Sequence, residues 1–285
     1  MYGCDNFCTY CVVPFLRGRE RSRPAGDIVR EVQGLAVRGF REITLLGQNV
    51  NSYGKGTEEG TSFPALLRRV HEVEGIERIR FVTSHPRDLS DGLIAAMQDL
   101  PKVCEALHLP AQSGSDRVLA AMNRKYSAAD YRDRVRRLRA AVPDITLTTD
   151  IIAGFPGETD EDFEQTMVLL GEVQYDSIFA FKYSPRLHTA ALRLDGQIPE
   201  ATKDERLSRV FALQRDITLR RNREQVGKVL EVLVEGPSRR SATLFGRTRG
   251  NRVVNFAGPG HLVGSLVQVR IMKAGPNSLS GELCG

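Results

Sequence analysis

Nowhere in its 285 residues does the chain approach the roughly 18 consecutive apolar residues that a membrane-spanning helix needs, and no apolar segment opens it. This argues against a helical membrane protein, and a soluble, cytoplasmic protein is expected. Cysteine is scarce: there are five, an odd number that cannot all pair, and a chain of this length can bury a core without covalent staples. A disulfide framework is therefore not expected. Histidine is absent from the first 23 residues, so no nearby imidazole completes a four-ligand zinc site there. Nor does any Ser, His and carboxylate set suggest a hydrolytic triad.

The cysteine that is present gathers at one place. Gly3-Cys4-Asp5-Asn6-Phe7-Cys8-Thr9-Tyr10-Cys11 spaces three thiols as C-x3-C-x2-C, with an aromatic residue before the last. Three thiolates on one short loop can hold three irons of a [4Fe-4S] cubane and leave the fourth open to a substrate-like ligand. Cys104 and Cys284 stand apart and read as plain buried or terminal thiols.

Charge is unevenly placed. Residues 222–285 hold nine Arg or Lys against four Glu, an excess equal to the whole net charge of +5. The remaining 221 residues balance, 31 against 31. A small basic module on a neutral body suggests a polyanion handle, with RNA the obvious candidate.

The pattern divides the chain at the same point. Up to residue 221, short apolar runs at 42–46, 78–83, 106–109, 146–152 and 177–183 alternate with amphipathic stretches near 26–38, 64–74, 89–99, 115–141 (broken around Tyr126) and 160–173. That alternation predicts an α/β domain of repeated strand–helix units. Thr159 and Asp162 form a capping box ahead of the last of these helices, and Thr202 with Glu205 is expected to cap a further one whose apolar face includes Leu207, Val210, Phe211 and Ile217. From 222 to 285, short runs at 228–234, 241–247, 252–256 and 265–274 between Gly-Pro punctuation predict a small all-β barrel.

The stretch from Cys4 to Pro24 resembles the cluster loop of the radical S-adenosylmethionine superfamily, and more narrowly that of the MiaB-type tRNA methylthiotransferases. Leu46-Gly47-Gln48-Asn49-Val50-Asn51-Ser52-Tyr53-Gly54, His108-Leu109-Pro110-Ala111-Gln112-Ser113-Gly114, Thr149-Asp150-Ile151-Ile152-Ala153-Gly154-Phe155-Pro156-Gly157 and Phe181-Lys182-Tyr183-Ser184-Pro185-Arg186 agree in the same order. Gly246 to Phe256 resembles the family's C-terminal TRAM domain. The resemblance implies a partial (β/α)6 barrel over 1–221, with its first strand missing ahead of Met1, and an RNA-binding TRAM barrel over 222–285. Without that first strand the strand at 42–46 becomes an exposed edge. An N-terminally shortened chain is expected, because the family's three further cysteines, which hold a second [4Fe-4S] cluster, are not present. Leu187-His188 departs from the proline-glycine usual after the Tyr-Ser-Pro-Arg run.

What the resemblance implies for chemistry is reductive cleavage of S-adenosylmethionine at a cluster held by Cys4, Cys8 and Cys11. The 5′-deoxyadenosyl radical so formed activates carbon two of an N6-isopentenyl-adenosine beside the tRNA anticodon, where sulfur and a methyl group are installed. Catalytic side chains beyond the cluster ligands are not expected, and the protein's part is to position the cofactor and exclude water. Gln48 and Asn49 can meet the methionine end of the cofactor. Gln112 and Ser113 offer polar groups at a strand-to-helix junction, and Asp150 accepts from a ribose hydroxyl or from an arginine. Gly154-Phe155-Pro156-Gly157 reads either as an adenine platform or as a rigid loop. Arg17, Arg19 and Arg21, with Arg23, alternate after the cluster loop; if extended they project to one side, to clamp phosphates of the anticodon stem-loop or to pair with Glu20 and Glu31. Arg247 and Arg252 are the RNA contacts expected in the C-terminal module. An electron-donor protein is an expected partner, and a monomer is expected. Competing readings are a related methylthiotransferase acting on threonylcarbamoyl-adenosine tRNA or a ribosomal protein, and an RNA-binding remnant without complete transferase activity.

Overall fold

A computed structural model describes residues 1–55, 60–238 and 243–284. Arg239, Arg240 and the start of the strand expected at Ser241 lie outside these residues. Five parallel strands form the wall of the first part: β1 (Glu42–Leu45), β2 (Arg78–Phe81), β3 (Ala106–His108), β4 (Thr146–Ala153) and β5 (Ser177–Lys182). Between and around them lie α1 (Val13–Arg17), α2 (Ala25–Val37), α3 (Phe63–His71), α4 (Asp91–Asp99), α5 (Asp116–Ala121), α6 (Ala128–Ala141) and α7 (Asp160–Val173). Serine or threonine N-caps start α3 to α7, each accepting from a first-turn amide, and capping boxes open α6 and α7. The break at Tyr126 separates α5 from α6.

The wall divides between β2 and β3. β1 pairs with β2 and β3–β4–β5 form a second sheet, while Ile79 bridges to Val103 just ahead of β3. Helix-facing residues such as Ile79, Leu107, Leu147 and Ile151 are fully buried with Leu67, Leu138 and Leu169. The opposite side-chain set stays open and forms a concave face, because parallel strands alternate their residues between two surfaces. β1 has one strand neighbour; at its other side the Met1 ammonium donates to Leu46 O at 3.2 Å.

Helix α8 (Glu200–Arg223) leads into a closed five-stranded barrel. Its strands are β6 (Val229–Pro237), β7 (Leu244–Thr248), β8 (Val253–Phe256), β9 (Leu266–Ala274) and β10 (Leu279–Leu283), in the order β10-β8-β7-β6-β9. Three expectations are corrected. α8 begins at Glu200 behind Pro199, not at a Thr202 cap, because proline's fixed φ already supplies the entry turn. Phe211 on α8 is exposed, while Val210 and Ile217 are buried. The small barrel has a fifth strand, β10, whose Leu-Ser-Gly-Glu-Leu sequence carries too little alternation to read in advance.

The turn between β7 and β8 enters the floor of the concave face. Gly250 comes so close that a Cβ would stand 2.3 Å from Thr146 Oγ1. Arg80 donates to Thr248 O and Arg249 O, both at 2.7 Å, and Arg78 donates to Arg247 O at 2.9 Å. In return Arg249 pairs with Glu105 at 2.7 Å and Arg252 with Asp176.

Candidate functional site

The cysteine loop is closed at its base by a glycine. Gly3 has φ of +72°, and a Cβ there would meet Arg19 O at 2.1 Å, so only glycine lets the chain lie against residues 18–21. Tyr2 and Arg21 exchange backbone bonds at 3.0 and 2.8 Å across that contact. The far side of the loop is stitched to the turn after α5. Thr9 N and Oγ1 donate to Met122 O and Ala121 O at 3.1 and 2.9 Å, and Asn123 Nδ2 donates to Phe7 O at 2.9 Å. Tyr10 packs on a small core of Val118, Met122, Phe155, Tyr183 and Ala191. Phe155 is thus fully buried and presents no ring face for stacking.

Cys4, Cys8 and Cys11 are free thiols. Asn6 Nδ2 lies 3.5 Å from Cys4 Sγ, and Arg124 Nη1 lies 3.3 Å from Cys8 Sγ. Burial pushes the Cys4 and Cys11 thiols up, and repulsion from Cys8 adds to both. Among the described residues no three Cys, His, Asp or Glu side chains converge as one metal ion would require. A cubane asks for something different: each thiolate takes a separate iron corner, so its ligands stand farther apart than those of a single ion. Three thiols on one anchored loop, with N–H donors beside two of the sulfurs, fit such a cluster.

Polar groups expected at the strand ends divide into two sets. Asn49 is buried and both ends of its amide are engaged: Nδ2 donates to Asp88 at 2.7 Å and Oδ1 accepts from His85 N at 3.1 Å. Ser113 is likewise tied to Thr166 Oγ1 of α7 at 3.2 Å. These two residues hold loops together. Gln48 is half-buried, with no side-chain partner among the described residues. Gln112 sits at φ of +69°, held by backbone bonds to Asp150 and Ile152, and its buried Oε1 has no partner. Ser84 Oγ and His85 Nε2 are also buried and, like Gln112 Oε1, have no partner among the described residues. His85 Nδ1 accepts from Arg87 N, so Nε2 carries the proton. Burial, with the nearby Arg124 cation, pushes the imidazole down to about 2 and keeps it neutral. The His85 ring packs edge-on against Tyr126, whose hydroxyl donates to Ala111 O next to Gln112. Orphaned buried polar atoms of this kind are suited to a polar ligand.

The concave face carries Asp150, 3.3 Å from His108 Nε2, while His108 Nδ1 meets Thr148 Oγ1 at 2.9 Å. Phe179 packs edge-on to His108, and both Phe179 and Phe181 are more than half exposed on this face. A cavity of about 520 Å³ lies between it and the β7–β8 turn, lined by Arg80, Val82, His108, Thr148, Phe179 and Asn251 among others. Arg124, His85 and Phe179 were not singled out from the sequence as site residues, and nothing local to them signals it; Phe181 was noted only as the first residue of the Phe181–Arg186 run.

The expected clamp is interrupted. Arg17 closes α1, so the run is not extended throughout. Arg19 pairs with Asp5 at 3.0 Å and Arg23 with Glu31 at 2.6 Å, while Arg17 and Arg21 have no ion pair among the described residues. In the small barrel, Arg247 pairs with Glu235 at 3.0 Å, and Arg252 is drawn under the first domain by Asp176, Thr146 and Asn222. Arg252 thus spends its N–H groups on Asn222, Thr146 and Asp176.

Residues 1–170 match the model of the radical SAM superfamily and residues 223–284 that of the TRAM domain. The chain is 56 % identical to a tRNA-2-methylthio-N(6)-dimethylallyladenosine synthase of Clostridium perfringens (strain SM101 / Type A), over 99 % of this chain and 64 % of that protein. It is 55 % identical to a protein of that name from Geobacter metallireducens, again over 99 % and 64 %. The chain thus spans under two thirds of the length of these curated relatives. In fold it is similar to coproporphyrinogen III oxidase from Escherichia coli, a radical SAM enzyme (TM-score 0.56, 13 % identity, 98 % of this chain and 69 % of that one). It is also similar to the radical S-adenosylmethionine methyltransferase TsrM from Kitasatospora setae (TM-score 0.55, 17 % identity, 67 % and 37 %).

Proposed function

The chain belongs to the radical SAM superfamily and carries a TRAM domain, and from that premise we propose that it acts in methylthiolation of N6-isopentenyl-adenosine beside the anticodon of tRNA. The observation that carries this reading is 56 % identity, over nearly the whole chain, to a synthase whose name states that product. We take residues 1–221 as the radical SAM domain and 222–285 as the TRAM domain.

In this reading Cys4, Cys8 and Cys11 bind a [4Fe-4S] cluster. When bound, the cluster supplies the electron that cleaves S-adenosylmethionine. The chain's own residues bind and orient. Gln48 and the unpartnered Gln112 Oε1, with Ser84 Oγ and His85 Nε2, offer buried donors and acceptors to the cofactor. Asn49 and Ser113 hold the loops that carry them. The concave face receives the target base: Phe179 and Phe181 offer stacking surface, and Asp150, fixed by His108, accepts a polar hydrogen. The β7–β8 turn closes its floor and limits water.

RNA affinity is assigned to basic side chains left in solvent. Lys228, Arg270 and Lys273 are exposed on the small barrel, and Lys228 O accepts from Ile271 N at 2.9 Å, which sets Lys228 beside the segment of β9 that carries the other two. Arg17 and Arg21 add charge beside the cysteine loop. The test is mass spectrometry of tRNA nucleosides from a strain lacking the gene. Loss of 2-methylthio-N6-isopentenyl-adenosine, with N6-isopentenyl-adenosine accumulating, is expected; retention of the methylthio group overturns the reading.

A further inference from the structure

Four arginines of the described structure are buried: Arg78, Arg80, Arg124 and Arg206. Three have a carboxylate in contact. Arg78 pairs with Glu231, Arg80 with Glu42, and Arg206 with Glu158 and Asp160. Arg124 has none among the described residues. Its Nη2 donates to Pro110 O at 2.8 Å and its Nε to Tyr126 OH at 2.9 Å; its Nη1 lies 3.3 Å from both Tyr10 OH and Cys8 Sγ. A guanidinium keeps its proton in proteins, so this is a buried positive charge whose protein partners are a carbonyl, two phenols and a sulfur. A buried cation without a counter-charge is costly enough that folded chains rarely keep one. Among the described residues the only group in its shell that becomes an anion on binding metal is Cys8.

We propose that Arg124 is the built-in counter-cation of the cluster, raising its reduction potential through its charge and its N–H donation to Cys8 Sγ. A cubane held by three thiolates is net negative, and one electron makes it more so. A fixed positive charge beside one sulfur therefore stabilises the reduced form over the oxidised one, and hydrogen bonds to sulfur act in the same direction. The balance is simple: one electron enters the cluster from an external reductant, and no proton moves, because Arg124 is charged before and after. Arg124 touches neither substrate nor reacting atoms in this account. It is a positioning and charge-setting residue.

The geometry supplies a control of opposite sign. Nη1 is shared between Cys8 Sγ and Tyr10 OH. Nη1 carries two hydrogens, so the sulfur and the phenol each have their own; removing the Tyr10 hydroxyl takes away the negative end of a dipole that offsets the guanidinium charge beside Cys8, whereas removing the guanidinium takes both donor and charge away.

The proposal rests on the three-cysteine cluster proposed above. The test is a dithionite redox titration with mediators, followed by electron paramagnetic resonance, on anaerobically reconstituted protein with iron counted in each sample. Arg124→Gln is expected to shift the reduction equilibrium at least tenfold toward the oxidised cluster, which for a one-electron couple is 59 mV. Arg124→Lys, which keeps the charge, recovers most of that shift, and Tyr10→Phe shifts the equilibrium the other way. Iron-loaded Arg124→Gln and Tyr10→Phe proteins that both titrate like the parent overturn the proposal. If the Arg124 variants take up no iron, Tyr10→Phe alone decides: a raised potential supports the proposal and an unchanged one overturns it. A parent protein that takes up no iron refutes the cluster reading itself, an outcome distinct from the other two.

Discussion

Glu231→Gln isolates one of the contacts that join the small barrel to the first domain. Arg78 is fully buried at the start of β2, and three of its N–H bonds go to Glu231: Nε and Nη2 to Oε1 at 3.0 and 2.7 Å, and Nη2 to the backbone oxygen at 3.0 Å. Breaking a buried ion pair on one side costs roughly 3–5 kcal/mol, because the other charge remains without water or partner. Two features lower that figure. The Glu231 side chain is about a third exposed, and Glu42 stands 3.7 Å from Arg78 as a reserve anion. A loss of about 2 kcal/mol is expected, equivalent to roughly 4–8 °C in a chain of this size. Replacing both partners, as Arg78→Met with Glu231→Leu, should recover part of the loss, since an apolar pair avoids the desolvation cost. Urea unfolding of both singles and the double gives the coupling energy, expected above about 1 kcal/mol. A Glu231→Gln protein within about 0.5 kcal/mol of the parent, or strictly additive singles, would refute the view that this pair fastens the two domains.

Three further outcomes follow from single sites. Asp162 is pushed up by burial but pulled down further, to about 2, by hydrogen bonds from Arg117, Ser115 and Thr159. Its stabilising contribution is complete above the ordinary value of 3.8 and is lost as pH falls toward 2, so Asp162→Asn should cost about 2 kcal/mol at neutral pH, a gap that closes between roughly pH 4 and 2 in acid unfolding curves. His188 sits exposed at φ of +70°, where an L side chain is strained by about 1–2 kcal/mol; His188→Gly, after the entropy glycine adds to the unfolded chain, should gain roughly 0.5–1 kcal/mol in urea unfolding. Replacing Arg270 and Lys273 together by Ala should lower the slope of log affinity against log salt for tRNA by about 1.5–2, whereas Arg252→Ala should leave that slope alone and lower stability.

The strand–helix alternation was legible because burial on one side of each element leaves a period in the sequence. The cysteine loop was legible for another reason: C-x3-C-x2-C compresses the ligand set into eight residues. What could not be read were long-range pairings of charge. Arg252 looks the same in sequence whether it faces a phosphate or Asp176, 76 residues away. Asn49 and Ser113 have the right chemistry for a ligand, and only the fold shows that their side chains are spent on Asp88, His85 and Thr166. Arg124 lies between two left-handed residues, Asn123 and Lys125, in a turn with no sequence signature. Its importance comes from burial without an acid nearby, which a linear reading does not contain. His188 shows the converse. The departure from proline-glycine was visible, and the backbone there still adopts the left-handed conformation that glycine favours.

Iron and sulfide counting on anaerobically reconstituted protein addresses the central assignment most directly. The account predicts about four irons and four sulfides per chain, a brown chromophore, and loss of all three when Cys4, Cys8 and Cys11 are replaced together by Ala. Colour and metal retained in that triple variant, or absent from the parent, would contradict it.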